Sequence, residues 1–397
     1  MNSDKYNPTD APQFGLAFGD EDQVAELVAE ASAKGKRTGT GKAPRKTAKV
    51  PAHSSGHTPL NPVADPPAVA LGQSQTPIVE TSQMPNAQPL SAKDIAQALD
   101  AHPDYRVLRR LVPCLDFGPA PVDAQPATLL VLDTETTGLD ASRDRIIELA
   151  LLRVTVDRRT GIPFGPVQVY DGLEDPGRPL PPEIVQITGI TDAMLAGHRL
   201  DEARVTELAQ NVDLVVAHNA GFDRPFVEAR CPAFAALAWA CSWADLDWKA
   251  MGHGSAKLES LALAQGLFYD AHRAETDCHA LLAVLNQSEP TLLAQLLGTA
   301  TQTQYRLQAT GAPFDAKDAL KARGYRWDGQ QRVWGTSLRS EATLQDELAW
   351  LKDAVYGGRA VRVRVEAVNA LQRYSTRPGA CTMLAVGDRL DALTLVG

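Results

Sequence analysis

Three short stretches of the chain place acids, or an acid and a histidine, at spacings suited to metal-assisted chemistry. The first is Asp133-Thr134-Glu135-Thr136-Thr137-Gly138, which follows the apolar run Leu129-Leu130-Val131-Leu132. That run reads as a buried strand, and residues i and i+2 of a strand share a face. Asp133 and Glu135 therefore point the same way at the strand's end. Two carboxylates this close repel each other unless a cation lies between them. Ligands that are all oxygen favour Mg²⁺ or Mn²⁺ over zinc. The second stretch, Ala217-His218-Asn219-Ala220-Gly221-Phe222-Asp223, follows the apolar run Leu214-Val215-Val216-Ala217 and opens a helix. The third is Ala271-His272-Arg273-Ala274-Glu275-Thr276-Asp277, with an imidazole five residues before an acid. A helix starting at Thr276 or Asp277 would let Asp277 face the site from its first turn, with His272 on the loop before it. Each stretch alone has an ordinary reading: strand-end acids, a helix-start acid favoured by the dipole, and a loop histidine.

Taken together and in this order, the three stretches resemble the DEDDh family of 3′–5′ exonucleases, which includes proofreading exonucleases of bacterial replicative polymerases. The resemblance covers about residues 127–290. Gln186-Ile187-Thr188-Gly189-Ile190-Thr191-Asp192 and Lys257-Leu258-Glu259-Ser260-Leu261 are similar to the family's supporting segments. The fold this implies is α/β, a ribonuclease-H-like mixed sheet flanked by helices. The resemblance also implies two divalent ions, Mg²⁺ or Mn²⁺, about 3.5–4 Å apart. Asp133, Glu135 and Asp277 would hold one ion, and Asp133 would bridge to the second with support from Asp223. His272 would take the proton of the attacking water, a role that suits an imidazole of ordinary pKa ~6.5. Thr134, Thr136 and Gly138 would let backbone amides approach the terminal nucleotide, Leu139 would pack near its base, and Ile187 and Thr188-Gly189 would help seat the 3′ end. His218 and Asn219 read as turn and supporting residues, Asp144 and Glu148 as surface charges, and His279 receives no role.

The elements that must position these residues alternate along the chain. Apolar runs at 129–132, 146–152, 167–170 and 214–217 read as strands, and residues 201–211, 222–230, 257–265 and 276–286 as helices. Interleaving of this kind predicts a sheet covered by helices. The whole chain has 397 residues, enough for two or three domains, and a net charge of −9, which argues against a protein that coats nucleic acid without selectivity. Its five cysteines form no C-x-x-C pair and read as reduced thiols. No secretory signal pattern and no apolar run of spanning length appear, so a soluble cytoplasmic protein is expected.

Residues 1–90 are polar and rich in Pro, Ser and Gly, and read as a disordered tail. Within them, Gln13-Phe14-Gly15-Leu16-Ala17-Phe18 is similar to the hexapeptide by which bacterial replication proteins dock on the sliding clamp, through Gln13, Leu16 and Phe18. A pattern of four letters also arises by chance, and here it precedes the exonuclease domain, whereas in the proofreading subunit it follows it. The basic stretch from Lys34 to Lys49 reads equally as a solvated linker or as a phosphate-binding arm. Residues 91–125 read as a helical lead and linker, with Ile95, Leu99, Val107 and Leu111 on one or two amphipathic helices. Residues 126–290 form the expected exonuclease domain and 301–375 a small α+β module, with a hairpin turning at Asp328-Gly329. The module resembles one found beside nucleases and plasmid proteins. Tyr325, Trp327 and Trp334 could stack on bases while Lys317, Lys321 and Arg326 meet phosphates, or the aromatics could form the module's core. The expected substrate is a single-stranded or frayed DNA 3′ end. RNA processing and a noncatalytic replication adaptor are the alternatives, and any polymerase would be served in trans.

Overall fold

The computed structural model describes residues 90–287 and 290–387. The expected tail, including Gln13, Leu16, Phe18 and the basic stretch, lies outside the described residues. Residues 90–106 are described by themselves and contain one helix, α1 (Ala92–Asp100). Its start is a capping box: the Ser91 hydroxyl accepts from the Asp94 amide, and the Asp94 carboxylate reaches back to Ser91. Val107 and Leu111 do not continue into a second helix. They flank a short extended segment, β1 (Arg109–Arg110), which pairs in parallel with Leu267–Phe268 (β7).

The main sheet explains the long apolar runs. Its strands are β2 (Pro126–Thr136), β3 (Ile146–Asp157), β4 (Pro163–Leu173), β5 (Leu214–Ala217) and β6 (Trp239–Cys241), in the order β4-β3-β2-β5-β6. β2, β5 and β6 are mutually parallel, and β3 and β4 run antiparallel to their neighbours. Helices α2 (Pro182–Thr188), α3 (Asp192–Leu195) and α4 (Glu202–Ala209) connect β4 to β5, and α5 (Ala220–Arg230) connects β5 to β6. After β6 come α6 (Ser242–Asp245), α7 (Leu258–Ala264), β7, α8 (Ala274–Leu285) and α9 (Leu292–Ala300). Leu129, Val131, Ala150 and Leu152 face the cluster that holds Leu281, Leu282 and Leu285 of α8. Leu130, Leu132, Leu149 and Leu151 face Val205 and Leu208 of α4 and Phe226 and Val227 of α5. A strand buried on both faces must be apolar at successive positions, so alternation disappears from its sequence. This is the ribonuclease-H-like sheet expected above.

A second sheet follows. It contains β8 (Gln304–Ala309), β9 (Arg326–Asp328), β10 (Val333–Leu338), β11 (Arg362–Val368) and β12 (Ala380–Ala385), ordered β12-β11-β8-β10-β9 and antiparallel throughout. Helices α10 (Lys317–Ala322) and α11 (Glu341–Trp350) cover one face, with Leu320, Leu344 and Leu348 packed on Leu307, Val363 and Val365. The hairpin does not turn tightly at Asp328-Gly329. Asp328 pairs with Val333, and its carboxylate accepts from the Gln330 and Gln331 amides within a longer loop. β12 carries the sheet past residue 375.

The connection from β11 to β12 reaches back onto the exonuclease sheet. Arg224, fully buried on α5, donates to the carbonyls of Ala370 (3.1 Å), Leu371 (2.6 Å) and Arg373 (2.6 Å) and to Glu228 Oε1 (2.6 Å). Asp245 Oδ1 accepts from Arg373, Tyr374 and Gln304. Cutting a buried charge out of such a network leaves its partners unsatisfied, at about 3–5 kcal/mol. Arg224→Leu is therefore expected to lower unfolding stability in a urea titration by about that amount. Arg224→Lys should not rescue it, because an ammonium cannot span four planar-fork acceptors.

Candidate active site

Asp133 and Glu135 lie at the C-terminal end of β2, beside the end of the parallel strand β5. In open α/β sheets, that edge is where ligand crevices form. The register spreads further acids over the same face. Asp133 pairs with Ala150, which pairs with Asp171; Glu135 pairs with Glu148, which pairs with Leu173. Helix α8 brings in Asp277 from its first turn. The carboxylates of Asp133, Glu135 and Asp277 place oxygens within 4.8 Å of one another. Asp223, in the first turn of α5, is buried, and its Oδ1 accepts from the Thr134 hydroxyl at 2.8 Å. The three sequence stretches thus meet at one end of the sheet, with Asp133, Glu135 and Asp277 as the compact trio and Asp223 adjoining it.

The electrostatics of this cluster are those of anions crowded without enough positive charge. Burial pushes Asp133 well above the usual carboxylate range, and Asp223, Asp277, Glu135 and Glu148 add to the shift. Burial, then Asp277 and Glu148, raise Glu135 to about 8. Burial raises Asp223 to about 7 against the lowering hydrogen bond from Thr134. Asp277 is also raised by burial, while Tyr269 and the His272 and Arg273 amides pull it down by hydrogen bonding. A divalent cation removes this repulsion, and an all-carboxylate donor set fits Mg²⁺ or Mn²⁺.

The loop carrying His272 is held from two sides. Asp277 Oδ2 accepts from the amides of His272 (2.8 Å) and Arg273 (3.2 Å). His272 itself is exposed, with φ of 66°, a left-handed conformation uncommon for a residue with a side chain. From the other side, Glu148 accepts from Arg273 Nε (2.9 Å) and Nη2 (2.6 Å) and from the Ala274 amide (2.9 Å). That last bond explains why α8 begins at Ala274, two residues before the expected start: a buried carboxylate satisfies its first amide.

Glu148 is not a surface charge. It is fully buried, one strand over from Glu135, in ion pair with Arg273. Its sequence signal was an acid inside Ile146-Ile147-Glu148-Leu149-Ala150, a run with no other polar residue. Asp144 is also mostly buried; it accepts from Thr137, the Asp140 amide and Arg178. A Cβ on Gly138 would fall 2.5 Å from Asp144 Oδ2, so a side chain there would have to push the Asp144 carboxylate off its hydrogen bonds. Asp171 and Tyr269 were missed altogether. Burial, then Glu148 and Glu275, raise Asp171 to about 6, and Tyr269 hydrogen-bonds Asp277.

The residues expected to seat the 3′ end are placed unevenly. Leu139 is 43% exposed beside the site's first motif, open to a base. Thr134 and Thr136 are buried, and the Thr136 hydroxyl is spent on the Gly138 carbonyl at 2.6 Å. Thr188 cannot use its side chain on substrate. It is buried, donates to Ile184 O (2.9 Å) and accepts from the Ile190 amide (3.1 Å), closing α2. Asn219 takes the left-handed conformation that starts α5, and His218 shares a 2.7 Å hydrogen bond with Ser242. Burial lowers His218 to about 4, so it stays neutral. His279 is buried, 3.6 Å from Glu275.

In the C-terminal module the expected nucleic-acid contacts do not share a surface. Tyr325 is 3% exposed and belongs to the core, which corrects its expected stacking role. Trp327 and Trp334 are cross-strand partners, ring centroids 5.5 Å apart, on the sheet face that also carries the core; Trp334 packs at the edge of that core, whereas Trp327 stays 52% exposed, and Arg326 alternates to the other face. Lys321 is exposed on α10, and Lys317 lies over the exposed Phe314 ring at 4.2 Å.

A family described as exonuclease matches residues 130–285. The DNA polymerase III subunit epsilon of Treponema pallidum is 34% identical over 163 residues, 38% of this chain and 71% of that protein. The PolC-type DNA polymerase III of Bacillus subtilis is 39% identical over 102 residues, 25% of this chain but only 7% of that much longer protein. Among solved structures, exonuclease X in complex with 5′ overhanging duplex DNA is 25% identical, with a TM-score of 0.31, covering 42% of this chain and 99% of the other. Among the described residues no helix is long and apolar enough to cross a membrane. Asp133, Glu135, Asp223 and Asp277, brought together at one sheet end, all fall within the matched residues 130–285, and the chain belongs to the exonuclease family.

Proposed function

We propose that the chain is a metal-dependent 3′–5′ exonuclease that releases nucleoside monophosphates from DNA ends. The convergence of Asp133, Glu135 and Asp277, with Asp223 beside them, carries this reading. Asp133, Glu135 and Asp277 would hold one divalent ion, and Asp133 with Asp223 a second. Such ions supply a water of lowered pKa and positive charge for the leaving oxygen. The chain's own groups do the rest. Thr134 fixes the rotamer of Asp223. Asp277, through the backbone amides, and Glu148, through Arg273, hold the loop that presents His272 to solvent. From there its imidazole would accept the proton of the attacking water. Leu139 would pack against the terminal base. The relatives are the epsilon subunit of DNA polymerase III and a PolC-type DNA polymerase III, which favours DNA as substrate and a role in replication or repair, with any polymerase served in trans. Docking of Gln13, Leu16 and Phe18 on a sliding clamp would bring the enzyme to such ends.

Matched DNA and RNA strands, labelled at the 5′ end and incubated with Mg²⁺ or Mn²⁺, test polarity and substrate together. A ladder that shortens from the 3′ end on DNA is the expected result. Early release of the labelled nucleotide would reverse the polarity. A preference for RNA would move the function to RNA processing.

A further inference from the structure

The second sheet has two unlike faces. On one, Leu307, Val363 and Val365 lie under α10 and α11. Every strand alternates, so the other face collects the intervening residues, and one row of these is cationic or neutral: Arg326, Gly335, Gln308, Arg364 and Met383 stand side by side across all five strands. At about 4.8 Å per strand, Arg326 and Arg364 lie about 14 Å apart along this row. Arg362 follows two residues from Arg364 on β11, about 6.6 Å away. Arg326, Arg362 and Arg364 are exposed. Two acids share the face, and both are engaged: Glu366 with Arg306 and the Gly379 amide, and Asp328 with the amides of its own turn. Among the described residues no carboxylate forms an ion pair with Arg362 or Arg364. Arg364 lies 3.2 Å from the exposed Cys381 thiol. No aromatic side chain of these strands points this way, since Tyr305, Trp327 and Trp334 all lie on the side that carries the core.

A cationic face on a chain of net charge −9 is a local feature suited to a polyanion. Among the described residues the two helices of the module pack on the opposite face, so no helix stands here to enter a duplex groove. Buried contacts of Arg224 and Asp245 fix the module to the exonuclease domain. We propose that this face is a second polynucleotide site, separate from the carboxylate cluster, which holds a single strand by its phosphates on Arg362 and Arg364. The proposal rests on the reading that the substrate is a polynucleotide. Without stacking groups, binding is independent of sequence and steeply dependent on salt.

The test uses the full chain in EDTA, so that nothing is cleaved, and follows binding of a long fluorescent oligothymidylate across a salt series. Arg362→Gln with Arg364→Gln should weaken binding and flatten the slope of log K against log salt by about 1.4, at about 0.7 per phosphate contact on a single strand. Arg159→Gln with Arg199→Gln removes the same charge from exposed positions elsewhere and should leave the slope unchanged. In the unmutated protein, bound oligothymidylate should slow alkylation of Cys381 relative to Cys114, the other exposed cysteine. Oligouridylate in the same assays shows whether the sugar matters. An unchanged slope in the double variant together with an unprotected Cys381 would overturn the proposal. Cleavage of a trinucleotide in Mg²⁺ is measured alongside. If it occurs while the face fails both tests, the exonuclease reading stands and the second site does not. If no oligonucleotide is cleaved, the exonuclease reading fails.

Discussion

Replacing Asp133 with asparagine is expected to remove hydrolysis and, in metal-free protein, to raise stability. Asp133 sits among Asp223, Asp277, Glu135 and Glu148, and its carboxylate belongs to the trio that would hold the first ion. Charge stabilisation by such an ion is worth several kcal/mol. At 1.36 kcal/mol per decade, its loss lowers the rate about 10³-fold or more. Stability moves the other way. Glu135 is raised from 4.5 to about 8 and Asp223 from 3.8 to about 7, so the folded protein binds more protons than the unfolded chain through this range. Their contribution is fully present below about pH 4 and is lost as pH rises through the folded values, so the metal-free protein weakens between about pH 5 and about pH 8. Asp133→Asn removes one of the repelling charges and should flatten that decline. Mg²⁺ should stabilise the unmutated protein most at the upper end, because the ion displaces the protons. Melting curves in EDTA and in Mg²⁺ across this pH range read all of these effects. A metal-free melting temperature that climbs with pH would contradict the electrostatics of the cluster.

Glu148→Gln should lower kcat about 10- to 100-fold with little change in KM, the usual size for a residue that orients a metal-site group. Glu148 is fully buried, with its oxygens committed to Arg273 and the Ala274 amide; it is a positioning residue. It clamps Arg273 and the first amide of α8, on either side of which stand His272 and Asp277. Glutamine keeps a carbonyl for the Ala274 amide and loses the ion pair, whereas alanine loses both and leaves the Arg273 pair broken, at about 3–5 kcal/mol of stability. Two readouts separate positioning from simple unfolding. The pH profile of kcat should shift in Glu148→Gln, because His272 is then held differently. A double-mutant cycle with Arg273→Gln should show the two losses to be strongly non-additive. Equal and independent effects on the two residues would sink the clamp.

The fold of the exonuclease part was legible because its strands are buried on both faces. Leu129–Leu132 and Leu214–Ala217 announce themselves as continuous apolar runs, and the acids that follow them mark the strand ends. Glu148 was misread for the same reason that the runs were easy to find. Within a strand buried on both sides, neither alternation nor neighbours tell an exposed acid from a buried one; its partner, Arg273, lies 125 residues away. Motif resemblance marks the segment around Thr188 and does not show which way its hydroxyl points, which is inward, onto Ile184 and Ile190. In the module, alternation was present and was outweighed by the aromatics. Arg362-Val363-Arg364-Val365 shows its two faces plainly, yet the aromatics drew the expected contacts, and of these Tyr325 lies in the core while Trp327 stays exposed. The grip of Arg224 on residues 370–373 had no sequence signal, since it joins segments nearly 150 residues apart through backbone carbonyls.

On the proposed function, hydrolysis runs on divalent ions held by the Asp133 cluster. The most direct measurement is the initial rate of cleavage of a 5′-labelled single strand as Mn²⁺ is titrated into EDTA-treated protein, with Asp133→Asn in parallel. The rate should be absent without metal, rise with more than first-order dependence on the ion, and stay near zero in the variant at every concentration. Cleavage that persists in EDTA, or that Asp133→Asn retains, would contradict the claim.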